Sequence, residues 1–507
     1  MPVQAIEYKL AGVNYDLPPH LLEGEWSAAK NMQFRRGFGQ RVKGNAIIEV
    51  WGTASQHLLN VWDGTNSYWI NCTASNVQVT NLTTIKTITP GTFTTPVADG
   101  GWTSGILNGI PFVNYRTDQA AYWGLDYSTP TVMAAMADAP ECAAMRPYKY
   151  GLVAMDCAGS SHGTIPKEST TVAWSTFVDP GTAPSAAGDW TPTASNQAGF
   201  AELGSGGGRC VDGIQVQDSF LVGKNNSFWV MKNTGGVEVM TFRPLVSSAG
   251  LLTTNCLAEV NGVVYALTDS DLIRTDLNST ESVIDNRLRN HLFDTLGDNY
   301  KLAWIAYNRA QHELWVCVPQ AAESYAQLVY QLDLASGQWG VKSGTDFIYG
   351  SMGRNNLTIT TTWSGISGTW ATIDRRWGES DGNVADVFVW TNGVNMREEE
   401  AETDDMTGEL TRSGLDLGDP YRVKNVSRIW PDIEADAGVV VSVEAGYQDA
   451  VDGAITWPVS AAGSVTTGTD QKMDIDISGK YLAFRFSSTS VYALAGFKVE
   501  YRPAGRF

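Results

Sequence analysis

The sequence predicts an all-β protein: a β-propeller with an inserted loop domain and a C-terminal β-sandwich-like platform domain. The clearest evidence is Leu302–Val341, where three short runs of apolar and β-branched residues are separated by turns and a short loop. Such a meander is too small to cover both of its faces alone, so similar sheets must stack against it. Small sheets stacked around an axis are the blades of a propeller.

Short fragments of similar design recur along the chain. Asn66–Ile70 is echoed by Asn226–Val230, and the turn Ser336–Trp339 is echoed by Ser367–Trp370. The chain also contains 51 glycines and 18 tryptophans, which suits many tight turns and wide sheets packed face to face. The fragments are unevenly spaced, so they predict blades without giving their number.

Changes in composition divide the chain into three parts. Residues 1–45 are expected to form an extended strap with an arginine-rich hairpin that joins the platform. Residues 46–407 are expected to form the propeller, and a Thr-, Asn- and Gly-rich insertion near 76–104 should project from it. The acidic run Arg397–Asp405 marks the next boundary, and residues 408–507 form the C-terminal β domain.

Residue periodicity predicts the individual elements. A helix is expected at Glu281–Leu296, because apolar residues recur there at intervals of three or four. Propeller strands are predicted at Ile47–Trp51, Leu58–Trp62, Pro111–Tyr115, Tyr150–Met155, Val172–Ser175, Gly262–Leu267, Phe347–Tyr349, Leu357–Trp363, Trp370–Ile373 and Asp386–Trp390. Platform strands are predicted at Arg422–Trp430, Val439–Val443, Tyr481–Phe486 and Ala495–Tyr501.

The charge balance is unlike that of proteins that bind nucleic acid tightly. Lys and Arg total 35 against 54 Asp and Glu, which gives a formal net charge of −19. Affinity for nucleic acid comes from basic surfaces that displace counterions from phosphates, so this chain repels DNA on average. The first thirty residues contain no apolar signal region, and we expect synthesis in a cytoplasm and no membrane-spanning segment. The six isolated cysteines are expected to be free thiols.

No catalytic, metal-binding or cofactor-binding set emerges from the sequence. Gly159–Gly163 fits the Gly-x-Ser-x-Gly pattern, which works only where a strand turns into a helix. Thr164–Pro166 follows and argues against a helix. The five histidines are widely separated, and Gly204–Gly208 lacks the lysine of a phosphate-binding loop. We therefore expect neither an enzyme nor a cofactor.

Five stretches resemble one protein family, and they occur in that family's order. They lie within Gly12–Pro19, Trp26–Gly37, Val172–Pro180, Tyr307–Trp339 and Gly414–Lys424. The resemblance is to the tail nozzle proteins, also called tail tube or hub proteins, of short-tailed bacteriophages. It implies a structural component of the virion tail that is synthesised in the host bacterial cytoplasm.

The resemblance also implies an assembly. Propeller subunits would form a homohexameric ring below the portal and adaptor, close or gate the channel, and conduct DNA during genome ejection. Tail fibres or spikes would contact the ring from outside, and viral DNA would pass through the lumen without specific binding. The N- and C-terminal segments would together form the platform that faces the adaptor.

Cations are unusual in so acidic a chain, which makes some of them candidates for contacts with the adaptor or between subunits. These candidates are Arg35, Arg36, Arg41, Arg422 and Lys424.

Two other functions fit an all-β propeller. The first is a tail protein that binds a receptor or a glycan, or cleaves a glycan, and a glycan site needs exposed aromatic residues beside paired carboxylates in a pocket. The second is a cytoplasmic scaffold for protein partners. A sugar-binding assay separates the first of these from a nozzle, and mass measurement with and without the adaptor separates the second.

Overall fold

The structure is a computed structural model that describes residues 3–91, 93, 101–129, 132–235, 239–245, 249–284, 287–294, 296–356, 384–400, 406–451 and 453–506. Within these residues the regular structure is almost entirely antiparallel β-sheet, as predicted. The described helices are short: α1 (Arg289–Phe293) and the 3-10 helices Pro19–Leu21, Asp298–Leu302 and Val459–Ala461. None of the described helices is long and apolar enough to cross a membrane.

The N-terminal segment, which we call the strap (residues 3–44), lies outside the blades. Its strands are β1 (Gln4–Lys9), β2 (Ala28–Lys30), β3 (Met32–Arg35) and β4 (Phe38–Arg41). Arg36 and Gly37 join β3 to β4 in a two-residue turn with φ angles of 52° and 83°. Paired positive φ angles give a turn whose twist matches the strands it connects. The next strand, β5 (Asn45–Val50), belongs to the propeller.

The described residues form seven four-stranded antiparallel blades. Blades 1 to 3 consist of β6 (Ser55–Trp62), β7 (Ser67–Thr73), β8 (Val77–Thr80) and β9 (Ile85–Thr87); β10 (Trp102–Leu107), β11 (Ile110–Tyr115), β12 (Ala121–Tyr122) and β13 (Ala134–Ala135); and β14 (Ala144–Tyr148), β15 (Gly151–Met155), β16 (Thr171–Trp174) and β17 (Gly199–Glu202). Blades 4 to 6 consist of β18 (Cys210–Val216), β19 (Ser219–Lys224), β20 (Phe228–Asn233) and β21 (Met240–Leu245); β22 (Leu257–Val260), β23 (Val263–Leu267), β24 (Leu272–Thr275) and β25 (Thr280–Ser282); and β26 (Trp304–Asn308), β27 (Glu313–Cys317), β28 (Ala326–Asp333) and β29 (Trp339–Phe347).

Blade 7 closes the propeller with strands from both ends of its sequence. It contains β30 (Tyr349–Asn356), β31 (Val384–Thr391) and β32 (Asn395–Glu399), and its outermost strand is β5. The first strands of successive blades contact one another from β6 round to β30, and β30 contacts β6 again. Backbone pairing between β5 and β32 therefore ties the beginning of the ring to its end.

The propeller core is a series of layers between neighbouring blades. Separate clusters of buried apolar side chains lie between blades 1 and 2, 2 and 3, 3 and 4, 6 and 7, and 7 and 1, and one larger cluster spans blades 4 to 6. Trp69, Trp304 and Trp315 are among the largest fully buried side chains. Wide aromatic rings fill the space between sheets, so each blade covers the faces of its neighbours.

The C-terminal domain is a sandwich of two sheets with a separate core. Its own strands are β33 (Gly408–Leu415), β34 (Arg422–Glu434), β35 (Val440–Gln448), β36 (Ala462–Thr466), β37 (Met473–Gly479), β38 (Tyr481–Ser488) and β39 (Ala493–Arg506). One sheet has the order β2-β33-β38-β35-β36, and the other contains β4-β39-β34-β37 with β1 paired to β39. Strap strands thus complete both sheets. Trp26 of the strap is fully buried, with its ring centroid 5.9 Å from that of Phe486.

Hydrogen-bonded pairing continues from blade 6 into the sandwich. The path runs β26-β27-β28-β29-β3-β4-β39-β34-β37, and the strap hairpin β3–β4 is its middle portion. Val341 of β29 pairs with Met32, and Leu494 of β39 pairs with Gly39. The strap is therefore the bridge between the two domains.

The expected projecting insertion at 76–104 is wrong for the residues that the structure describes. Val77–Thr80 and Ile85–Thr87 are the third and fourth strands of blade 1, and Trp102–Leu107 is the first strand of blade 2. Both faces of β8 are covered, and its polar side chains are bonded internally; Thr80 Oγ1 donates to Glu49 Oε2 at 2.7 Å. Because β8 contains polar residues that are buried and bonded within the fold, its sequence lacks the alternation of polar and apolar residues by which strands were predicted. Residues 92 and 94–100 lie outside the described residues.

The expected helix at Glu281–Leu296 is also wrong over most of its length. Thr280–Ser282 is strand β25, which pairs with β24, and α1 begins only at Arg289. Ile284, Leu288 and Leu292 face the shared core of blades 4 to 6. Their helix-like spacing therefore reflects burial against that core.

The recurring fragments do not occupy equivalent blade positions. Asn66–Ile70 leads into β7, the second strand of blade 1, whereas Asn226–Val230 leads into β20, the third strand of blade 4. The two fragments share the residues of a turn, but they do not lie at equivalent positions in a repeat. Ser367–Trp370 and the strands predicted at Leu357–Trp363 and Trp370–Ile373 lie outside the described residues, as do residues 401–405 of the acidic run.

Gly353 tests the closure between blades 7 and 1. A Cβ added there would lie 2.6 Å from Asn60 Cβ and closer still to the Trp69 ring. We expect Gly353→Ala to lower the free energy of unfolding by about 1–3 kcal/mol, because overpacking strains the interface. Gly52→Ala is the control, since a Cβ at Gly52 meets nothing within 4 Å. Equal urea midpoints for the two variants would contradict this account of the closure.

Candidate functional site

The first strands of the blades enclose an axial channel, which is the first candidate site in the propeller. A cavity of about 360 Å³ opens into it. Its polar lining residues include Ser104, Arg146, Asp212, Asn255, Glu259 and Tyr349. These side chains come from blades 2, 3, 4, 5 and 7 or the segment that precedes blade 5, so the ring itself assembles the site.

A charged network occupies the channel beside this cavity. Arg146 makes a bidentate pair with Asp212, at 2.8 Å from Nε to Oδ1 and 2.6 Å from Nη2 to Oδ2. Arg146 also donates to Ser104 O at 3.0 Å and to Asn255 Oδ1 at 2.8 Å. Asn255 donates its backbone N–H to Asp212 Oδ2 at 2.8 Å and its side-chain amide to Trp102 O at 3.0 Å. The network links blades 2, 3 and 4 and the segment that precedes blade 5 across the axis.

His57 lies fully buried on the same axis. Its Nε2 is 2.7 Å from Ser104 Oγ, and its ring centroid is 4.0 Å from that of Tyr349. Burial, with a smaller contribution from the Arg146 charge, lowers the pKa of His57 to about 3. A general base needs a pKa near the working pH. His57 therefore stays neutral and does not activate Ser104 as a nucleophile.

The axial channel of the propeller cannot conduct a DNA duplex. The major groove of DNA alone is about 12 Å wide, whereas the cavity holds about 360 Å³ and the Arg146 network crosses the axis beside it. The geometry of the channel is that of a structural plug.

The second candidate site is the joint at which the strap meets blade 6 and the sandwich. Tyr15 N donates to Arg287 O at 2.8 Å, and Asp16 accepts from the backbone of α1. Arg412 of the sandwich donates to Pro19 O at 2.6 Å. Further contacts bring together four of the five stretches that resemble the nozzle family, those within 12–19, 26–37, 307–339 and 414–424.

The five predicted contact residues differ in their surroundings. Arg35 is largely covered, and its Nη1 donates to Gln311 Oε1 at 2.6 Å while Nη2 pairs with Glu313. Arg41 is buried, and its Nε donates to Met406 O at 2.6 Å. Both arginines therefore connect the strap to other parts of its own chain.

The other three contact residues fall into two groups. Lys424 is fully buried and donates to Lys480 O at 2.6 Å, and burial lowers its pKa. Arg422 is about one third exposed and lies 3.5 Å from Asp419. Arg36 is exposed at the tip of the strap hairpin. Arg36 and Arg422 are thus the two of the five that present charge to solvent.

The Gly-x-Ser-x-Gly stretch builds a loop. Ser161 Oγ donates to Glu141 Oε1 at 2.7 Å. His162 Nδ1 accepts from the backbone of Thr164 and Ile165, which leaves its Nε2 protonated 3.4 Å from Asp138 Oδ1. No helix follows Ser161 within this described stretch, so the hydroxyl is not presented as a nucleophile.

All six cysteines are buried, and all six are free thiols, as predicted. Within the described ranges, no group of three or more His, Cys, Asp or Glu side chains is arranged to hold a metal ion.

Sequence reasoning missed the channel network altogether. Arg146, Asp212 and Asn255 are widely separated in the sequence, and each follows or begins a different blade. No local motif marks them. An arginine in a strand of an acidic chain was the available signal, and its partners become apparent only once the ring closes.

The fold defines an all-β protein made of a seven-bladed propeller and a sandwich. No protein-family profile matches the chain, and no curated protein matches it. Among solved structures, it is similar to a chain described as "AfRom2 CNH domain", with 7% identity over 70% of this chain and 98% of that one and a TM-score of 0.37. The assignment of the fold rests on the blades themselves and their closed ring.

Removal of Arg146 tests the plug. Arg146→Met leaves the carboxylate of Asp212, whose side chain is 1% exposed, without its cation. We expect a loss of about 3–5 kcal/mol in the free energy of unfolding, measured with urea. The control is Arg274→Met, which breaks a pair with Glu281 that is more than half exposed, and should cost less than about 1 kcal/mol. Similar losses for both variants would rule out a structural plug.

The buried His57 predicts a pH dependence. The unfolded chain takes up a proton at His57 as the pH falls through about 6.5, while the folded chain does not until about 3. Stability should therefore fall across that window by about 1.4 kcal/mol per pH unit more in the wild type than in His57→Gln. Ser104→Ala should keep the wild-type slope because His57 remains buried. A His57→Gln curve parallel to that of the wild type would contradict the burial of a neutral imidazole.

Proposed function

We propose that this protein is a structural component of a bacteriophage tail, the nozzle or tail-tube subunit of a short-tailed phage. As a homohexameric ring in the virion tail, it docks below the portal and adaptor, closes or gates the channel, and conducts DNA during genome ejection. Its partners are further copies of itself, the adaptor–portal complex, tail fibres or spikes, and viral DNA that passes without specific binding. Synthesis takes place in the host bacterial cytoplasm.

The observation that carries the proposal is the composition of the strap joint. Four stretches that resemble the nozzle family come from three distant parts of the sequence, yet they contact one another where strap, blade 6 and sandwich meet. Unrelated short matches have no reason to converge in space. Their convergence supports a shared platform that faces the adaptor.

Electrostatics support a DNA passage between subunits. The plug blocks the axis of a single propeller as a conduit, so the proposal places the lumen at the centre of a ring. Each subunit carries a formal charge of −19, and a ring multiplies that charge around its axis. Acidic walls repel phosphates at short range, which lets DNA slide without adhering.

The glycan-binding alternative needs free paired carboxylates beside an exposed aromatic ring. Asp212 and Glu259 both line the axial cavity. The carboxylate of Asp212 is occupied by Arg146 and Asn255, and Glu259 Oε1 accepts from Gly262 N at 2.6 Å. Neither group is free to attack or protonate a sugar, so the cavity favours the structural function.

The full-length chain tests the proposal directly. Native mass measurement over rising concentrations, with and without the adaptor protein, should show particles of six times the chain mass, and electron microscopy should show sixfold rings. A chain that stays monomeric under all of these conditions, particularly one that binds sugars on a glycan array, would overturn the proposal in favour of the receptor-binding alternative.

Arg36 and Arg422 test the contact surface. We expect Arg36→Glu and Arg422→Glu each to raise the concentration needed for half-assembly, or for adaptor binding, by roughly tenfold, since each replaces an attraction with a repulsion. Arg274→Glu in blade 5 is the control for a general change of charge. If all three variants assemble alike, the two arginines do not lie at an interface.

A further inference from the structure

A buried pocket of charged residues lies beneath the strap hairpin. Arg35 enters it from β3 and pairs with Glu313 of β27. Lys342 of β29 pairs with Glu399 at the end of β32, whose Oε2 also accepts from Trp390 Nε1 at 3.1 Å. The pocket therefore joins the strap, blade 6 and blade 7.

The pocket is deeply buried and its charges do not balance. The side chains of Glu313 and Glu399 are each 2% exposed, and that of Lys342 is 0% exposed. Glu400, which follows β32, adds a further negative charge that acts on both buried glutamates. Three carboxylates thus face two cations. Burial makes an excess charge costly, and a bound proton is the simplest way to remove it.

The pocket also provides an acceptor for such a proton. Asn308 lies directly opposite Glu313 in the β26–β27 register, and opposed side chains in a sheet are close neighbours. Asn308 is 1% exposed, and its Oδ1 has no hydrogen-bond partner among the described residues. A neutral Glu313 would carry an O–H that can donate to that oxygen, which an ionised Glu313 cannot do.

Further polar atoms near Glu313 show that the pocket is incompletely satisfied. Gln331 and Gln33 lie on either side of Gly340, and the Oε1 of each is buried without a partner in the described part of the chain. Buried polar groups normally find partners. The region can therefore rearrange its hydrogen bonds when a proton arrives, without breaking an apolar core.

We propose that the strap joint is a proton-controlled latch. Uptake of one proton by Glu313 tightens the strap hairpin on the propeller, and loss of that proton at alkaline pH loosens it. The latch is a property of a single chain and stands whether or not the chain assembles into a ring.

The electrostatic surroundings of Glu313 decide whether a bound proton strengthens or weakens docking of the strap. Burial raises the pKa of Glu313 from 4.5 to about 7; Arg35 lowers it, and Glu400 and Glu399 raise it. Once the strap is released, Glu313 is open to water and its pKa falls back towards 4.5. The docked state binds the proton more tightly, so docking weakens as the pH rises from about 4.5 through about 7 and levels off once Glu313 is ionised in both states.

Other titratable groups near Glu313 are engaged elsewhere. Asp333 is its cross-strand neighbour on β28, and its carboxylate accepts from the backbone N–H and hydroxyl of Ser336. Nδ1 of His312 lies 2.9 Å from Tyr307 Oη. Arg35, Glu400 and Glu399 are therefore the charged groups that act on Glu313, and Lys342 pairs with Glu399.

Hydrogen exchange on the full-length chain measures the latch. We expect protection of the amides in Met32–Arg35 to fall roughly tenfold between pH 6 and pH 8.5, after correction for the intrinsic rate. Amides in Tyr481–Ser488 of the sandwich serve as the internal reference and should not follow. Unchanged protection of the strap, or an equal loss in both segments, would overturn the proposal.

Two variants separate the latch from a merely structural ion pair. Glu313→Gln mimics the protonated side chain, so it should keep strap protection high and independent of pH. Glu400→Gln removes a charge that raises the pKa of Glu313, so it should move the midpoint of the transition to lower pH. Glu444→Gln, in a pair with Arg485 that is about one third exposed, is the matched control and should behave as the wild type. A wild-type pH profile in Glu313→Gln, or in Glu400→Gln should Glu313→Gln fail to fold, refutes the latch.

Discussion

The structure depends on one constraint: a sheet of four short strands has two apolar faces and cannot cover either of them alone. Each blade is stable only between two others, so the series must close. Closure is achieved by β5, which comes from the N-terminal side and pairs with the last described strand of the propeller, β32. Because that pairing uses backbone hydrogen bonds, the first and last blades fold together.

The same constraint explains where the buried charges lie. Arg146 and Asp212 come from adjacent blades and meet on the axis, and Lys342 and Glu399 meet between blades 6 and 7. Each pair is satisfied only when its blades are in the correct register. Buried pairs of this kind contribute more to a unique arrangement than to net stability, because desolvation offsets most of their attraction.

Sequence reasoning reached the fold class because strand and turn chemistry is local. The meander Leu302–Val341 contains β26, β27 and β28 much as expected, since β-branched and aromatic runs ending in turns specify strands. It failed where burial overrides periodicity. Thr80 can be a buried strand residue because its hydroxyl donates a hydrogen bond to Glu49. Leu288 faces a core without belonging to a long helix.

The sites were less predictable than the fold. Rarity of positive charge selected Arg41 and Lys424, yet both are buried and bonded to carbonyl oxygens of their own chain. Rarity alone does not distinguish a cation that serves a partner from one that closes a gap within the fold. The partners that decide the matter, such as Met406 and Lys480, are distant or unremarkable in the sequence and become neighbours only in the folded chain.

The strap hairpin gives the molecule a defined mechanical weak point. Five or more paired positions hold neighbouring strands together within blade 6, but the seam between β29 and β3 has a single paired position, Val341 with Met32. Tension applied between sandwich and propeller falls on that seam, on the Arg35 and Asn31 side chains that span it, and on the hydrogen bonds of Tyr15 and Asp16 to residues 287–291. A pulling force would break these few contacts first, because longer ladders of paired residues hold the strands of each blade together.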